Sequence, residues 1–176
     1  MVAMRPCLQV LCSDGRSISR REIAEFLQRG TEGSASGVIL HPSPSAPESL
    51  LDDWDSLALA FSSEERRVIL TRFTGSALFR QEIDELISLV SACAQSEQQK
   101  NVQRRLREIA QVFLIHFDPS TLAARDWRAL DKLESFLAHS LDGIIYAPGE
   151  GFFNSDLQRI NLLPVKEVIL PIHRPQ

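Results

Sequence analysis

Four side chains have types and positions suited to acid–base or anion chemistry: His41, Arg72, His116 and Asp118. Each follows, or sits at the end of, a short apolar run. His41 follows Val38-Ile39-Leu40, Arg72 follows Val68-Ile69-Leu70, and His116 and Asp118 close Val112 to Phe117. A histidine exchanges protons near neutral pH, a carboxylate orients or assists it, and a guanidinium holds an anion. Ser13, Asp14 and Thr74 stand at comparable positions. Ligands in open α/β sheets gather beyond the C-terminal ends of parallel strands. If these runs are parallel neighbours, the polar groups converge on one edge. Against this stands a plainer reading. Every strand exits into a polar loop, and Asp118 before Pro119-Ser120 is an ordinary turn or cap signal.

Other motifs carry less chemistry. Thr74-Gly75-Ser76 could offer backbone N–H groups to a phosphate, but it lacks the further glycines and the lysine of a P-loop. It reads better as a helix N-cap. Gly149-Glu150-Gly151 precedes a strand rather than a helix, so it is a turn and not a dinucleotide fingerprint. There is no Gly-x-Ser-x-Gly elbow and no His-Glu-x-x-His. The four histidines lack ligand spacing, so neither a metal nor a cofactor is expected. Cys7, Cys12 and Cys93 fit no metal box or redox pair and read as small buried hydrophobes. Lys100, Arg104, Arg105 and Arg107 read as a solvated helix face, and His139 as a surface cation near a helix end.

The elements that would position these groups follow from the apolar spacing. Cys7 to Cys12 predicts a strand. Ser19 with Glu22 forms a capping box before the Ile23, Phe26, Leu27 face of a helix that Gly30 ends. Val38 to Leu40 predicts the second strand, and the proline-rich stretch 41–47 a rigid connection. Leu50, Leu51, Trp54, Leu57, Ala58 and Phe61 have helical spacing. Val68 to Leu70 is the third strand. A long helical region from Leu78 to Ile109 is broken near Gln95 to Asn101. Val112 to Phe117 is the strongest strand, and a helix bearing Trp127 closes at Asp142-Gly143. Ile144 to Tyr146, Phe152-Phe153 and Leu157 to Leu162 are strands, with 164–176 as a further edge strand or tail. The alternation predicts one α/β domain over 1–176. Its central sheet is mixed and mostly parallel, with an antiparallel C-terminal hairpin and helices packed on it. A ferredoxin-like α+β arrangement with insertions is the alternative.

Composition narrows the function classes. The chain has 176 residues, 44% hydrophobic and 24% charged, which is globular rather than disordered. A net charge of −4 is the wrong sign for a nucleic-acid binder and suits a basic protein partner. No apolar signal region opens the chain and no run reaches membrane-spanning length, which points to a cytoplasmic protein.

Three stretches carry a resemblance: Trp127-Arg128-Ala129-Leu130-Asp131, Leu141-Asp142-Gly143-Ile144-Ile145, and Gly149-Glu150-Gly151-Phe152-Phe153-Asn154. Together they resemble a group of uncharacterised small bacterial proteins. In general character these are similar to the immunity proteins that neutralise toxins. The resemblance covers about a quarter of the chain and transfers no residues. It implies a non-catalytic protein-binding domain whose partner is a toxin. Asp52, Asp53 and Asp55 would steer a basic partner. Adjacent Phe152 and Phe153 face opposite ways in a strand, so one of them, beside Tyr146, would anchor the interface. The competing expectation is a small-ligand binder or enzyme using the strand-exit groups.

Overall fold

A computed structural model describes residues 7–29, 38–41, 54–61, 67–93 and 96–161, without the side chains of residues 7, 38–41, 61, 67 and 78. The first strand, β1 (Cys7–Cys12), is buried on both faces. Leu8, Val10 and Cys12 enter one apolar cluster, while Leu11 enters the other. Side chains alternate along a strand, so β1 divides two cores. Helix α1 (Arg20–Arg29) opens on the capping box read from the sequence. The Glu22 N–H donates to Ser19 Oγ at 3.1 Å, and the Ser19 N–H donates to Glu22 Oε2 at 2.7 Å. Ile23, Ala24 and Leu27 then turn inward together, as a spacing of three and four requires.

The chain continues through β2 (Val38–His41), β3 (Ser56–Phe61), β4 (Arg67–Thr74), α2 (Ala77–Ser91) and α3 (Glu97–Arg107). It then forms β5 (Gln111–His116), a short 3-10 turn at Pro119–Thr121, and α4 (Ala124–Ser140). Strands β6 (Gly143–Ala147), β7 (Gly151–Phe153) and β8 (Arg159–Asn161) complete the described part. One sheet of eight strands has the order β2-β3-β4-β5-β1-β6-β7-β8. Every pairing in it is antiparallel.

The expected mostly parallel sheet is therefore wrong, for three local reasons. First, α2 and α3 are two helices between β4 and β5. An even number of helical passes returns the chain to the end of the sheet it left, so β5 must run against β4. Second, the helix expected across Leu50 to Phe61 is, where described, a strand from Ser56. Leu57 and Leu59 point into one core while Ala58 and Ala60 point to the opposite face, a period of two that the surrounding apolar residues obscured. Third, α4 is a single crossover, so β5 and β6 do run the same way, but β1 lies between them. The inner strands β4-β5-β1-β6, with α1 and α4 on one face, have the connectivity of a split β-α-β pair. The β2–β3 pair and the α2–α3 pair are insertions into it.

The two faces are covered unequally. On one, α1 and α4 pack over Leu8, Val10, Leu57, Leu70, Phe113, Ile115 and Ile145. Trp54 is buried there and donates its indole N–H to the Ile18 carbonyl at 2.7 Å, and Trp127 meets Phe117 edge to face at 5.2 Å. Both tryptophans are core residues as expected, although Trp54 precedes a strand and not a helix turn. On the other face, α2 and α3 cover Leu11, Val112, Ile144, Tyr146 and Phe152, reaching Ile160 on β8. Full burial of each such side chain stabilises by about 1.5–3 kcal/mol. Toward the start of β3 that face is partly open among the described residues: Ser56 is exposed, Ala58 and Thr71 are half-buried and Ile69 is 37% exposed, whereas Ala60 is buried. The expected tail at 164–176 lies outside the described residues.

Candidate functional site

An apolar-walled concavity among the described residues lies where the covered and open parts of this second face meet. Strand β4 ends at Thr74, and Gly75 turns the chain with φ +60°, a left-handed conformation that glycine adopts without strain. Ser76 then caps α2, its Oγ accepting from the Phe79 N–H at 3.1 Å, so the Thr74-Gly75-Ser76 motif is a helix start. Helix α2 runs back beside the strands. Its first turns bring Phe79, Gln81, Glu82 and Glu85 against Phe73 of β4 and Val112 and Leu114 of β5. These residues line a groove of about 360 Å³. Its walls are apolar and its charged members are both carboxylates.

Behind Leu114 stands a polar residue outside the groove lining. Gln9 faces Leu114 across the β1–β5 register and Tyr146 across the β1–β6 register. It is 6% exposed, and its Nε2 donates to Glu82 Oε1 at 2.6 Å. Its Oε1 is buried and, among the described residues, has no hydrogen-bond partner. Burial, and then the Glu82 charge, push the Tyr146 hydroxyl above its usual pKa, so it stays protonated at neutral pH. Glu85 accepts from Gln81 Nε2 at 2.9 Å. Among the described residues, neither Glu82 nor Glu85 forms an ion pair. The site is acceptor-rich, anionic and apolar.

The strand-exit groups do not assemble. Ile69 is the register partner of His116, and Arg72 stands three residues further along β4. That is roughly 10 Å at about 3.3 Å per residue, and the odd spacing places Arg72 on the opposite face of the sheet. The antiparallel order is the cause, because it sends β4 and β5 out at opposite ends. Asp118 caps the 3-10 turn, accepting from the Ser120 N–H at 3.0 Å. Arg72 braces the loop after β1: its Nε donates to Gln111 Oε1 at 2.8 Å and its Nη1 to Ser17 Oγ at 3.2 Å. Asp14 accepts from the Arg16 N–H at 2.8 Å, a local turn. His41 ends β2, and its side chain lies outside the described residues.

The expected interface residues fare differently from one another. Phe152, Phe153 and Tyr146 are 0%, 7% and 8% exposed, so none can be an exposed anchor. The sheet is covered on both faces at β6 and β7, which buries both members of the phenylalanine pair. Asp55 is exposed, while Asp52 and Asp53 lie outside the described residues. Arg104 and Arg107 are exposed as expected, but Arg105 reaches across to Asp142 Oδ1 at 2.8 Å. Burial above all, then the charges of Asp14 and Asp142, push the Cys12 thiol far above its ordinary range, so it is no nucleophile at neutral pH.

The groove residues were not singled out from the sequence. One signal was present: Glu82 interrupts the apolar stripe Phe79, Ile83, Leu86, a carboxylate where the helix turns toward the sheet. The Gln9–Glu82 contact, across 73 residues, has no such signal.

No helix among the described residues is long and apolar enough to cross a membrane. The fold and groove define the chain as an antiparallel α+β domain with an acidic, apolar cleft. No family model, curated protein or solved structure matches it.

Proposed function

We propose that the chain is a binding protein that presents the open face of β3, β4 and β5 to a basic partner protein, with the α2 groove as the anchor. The observation that carries this reading is the composition of the groove: Phe73, Phe79, Val112 and Leu114 offer apolar area, and among the described residues Glu82 and Glu85 stand without cations. Complementary charge selects and steers a partner, while a desolvated apolar pocket retains it. The half-buried face beside it gives a protein room to lie flat. In its most concrete form the partner is a toxin and the chain an immunity protein working in the cytoplasm.

The test is co-purification of the tagged full chain from its native host, with wild type and Leu114→Arg compared. A basic protein that accompanies the wild type and disappears with the variant supports the reading. A partner retained equally by the variant, or no stable protein partner at all, refutes it. A small molecule in place of a protein would favour the second reading, to which the groove volume of about 360 Å³ is also suited.

A further inference from the structure

We propose that the groove is a subsite for one lysine side chain of the partner; this rests on the binding reading above and names what that partner inserts. The walls and the inner end make separate demands. Phe73, Phe79, Val112 and Leu114 match an alkyl stem, since the methylenes of a long basic side chain bury readily while its head remains polar. The head would meet acceptors. Glu82 and Glu85 carry negative charge into the groove, and no basic residue lines it among the described residues. Gln9, outside the lining, holds one Glu82 oxygen in place from behind through its Nε2.

The geometry of these acceptors favours an ammonium over a guanidinium. Arginine pairs best with both oxygens of one carboxylate in a plane. Here one Glu82 oxygen is already held by Gln9, and one Glu85 oxygen by Gln81. What remains is single acceptors on separate side chains, which suit the rotatable donors of an ammonium.

The experiment titrates the full chain, labelled at Val and Leu methyl groups, at constant ionic strength. The probes are n-pentylammonium, n-pentanol, n-butylguanidinium and 1,5-diaminopentane. The Val112 and Leu114 methyl resonances should shift with n-pentylammonium, with affinity about tenfold above n-pentanol, as expected for a charge-assisted hydrogen bond. Glu82→Gln should remove most of that difference, and n-butylguanidinium should bind more weakly than the ammonium. Equal binding of alcohol and amine in the wild type overturns the lysine subsite, as does absence of any shift, while leaving the partner experiment with Leu114→Arg to decide the binding reading. Equal or tighter guanidinium binding overturns the choice of lysine. A diamine more than about a hundredfold tighter than the monoamine overturns the side-chain assignment in favour of a free polyamine.

Discussion

Gln111 is fully buried, and both ends of its amide have partners. Its Nε2 donates to the carbonyls of Asp14 and Arg16 at 2.5 and 2.9 Å, and its Oε1 accepts from Arg72. A buried polar group satisfied in this way fixes the loop after β1 at little cost. Arg20 is the contrasting case. It is 4% exposed in the first turn of α1, on the side that carries Ile23 and Ala24, and among the described residues its Nε and Nη1 have no hydrogen-bond partner. A buried charge without a counter-charge is destabilising, and an apolar residue of similar length removes that cost. Arg20→Met is therefore expected to raise unfolding stability by about 1–3 kcal/mol. Urea unfolding followed by circular dichroism measures it. A variant less stable than wild type would show that the guanidinium has stabilising contacts. Neither residue was legible in advance. Arg20 reads as one more surface arginine before a helix, and Gln111 as the polar start of a strand.

At the scale of elements, three chain segments distant in sequence are tied by one carboxylate. Asp142 follows α4 with φ +47°, a backbone state that aspartate and asparagine tolerate better than most residues. Its side chain accepts from Ser13 Oγ at 2.6 Å, after β1, and from Arg105 Nη2 at 2.8 Å, near the end of α3. The Ser13 hydrogen bond first, and then the Arg105 charge, outweigh desolvation and hold this carboxyl below its usual pKa. A depressed folded pKa contributes stability that is present above the unfolded pKa, ordinarily about 3.9 for aspartate, and is lost as pH falls through the folded value. Asp142→Asn keeps the backbone tolerance and removes the charge. It is expected to lower the urea midpoint at neutral pH, with the gap from wild type closing in acid. A gap unchanged by acidification would assign the loss to geometry instead. The closure of α4 at Asp142-Gly143 was readable from the helical spacing and the turn residues. So was the capping box of α1, because both signals are local. The need for glycine at 143 was not. A Cβ there would lie 3.0 Å from Ala138 Cα and 3.1 Å from Cys12 Sγ, contacts that exist only once α4, β1 and β6 are packed.

The same division between local and long-range information governs the whole molecule. The positions of the strands flanking the helices were legible, since each is a short apolar run between turn signals. Their directions were not, because direction depends on counting every reversal, and the misread strand β3 and the doubled α2–α3 passage each changed the count. The candidate site inherits that limit, since groups that converge in a parallel sheet separate in an antiparallel one. The resulting architecture carries its own expectation. Strands β1, β5 and β6 have apolar residues in both cores, whereas among the described residues β3 and the outer part of β4 contribute Leu57, Leu59, Val68 and Leu70 to one core and nothing to the other. Local opening is easier where fewer apolar contacts must be broken. Amide exchange read by mass spectrometry should therefore be slowest in β1 and β5, and markedly faster in β3. Uniform protection across the sheet would mean that the second face of β3 and β4 is covered in the free protein, leaving no open surface for a partner. In the complex, exchange should slow most in β3 and β4 and least in β6 and β7, whose two faces are already buried. That pattern would separate docking on the open face from binding at any other surface of the domain.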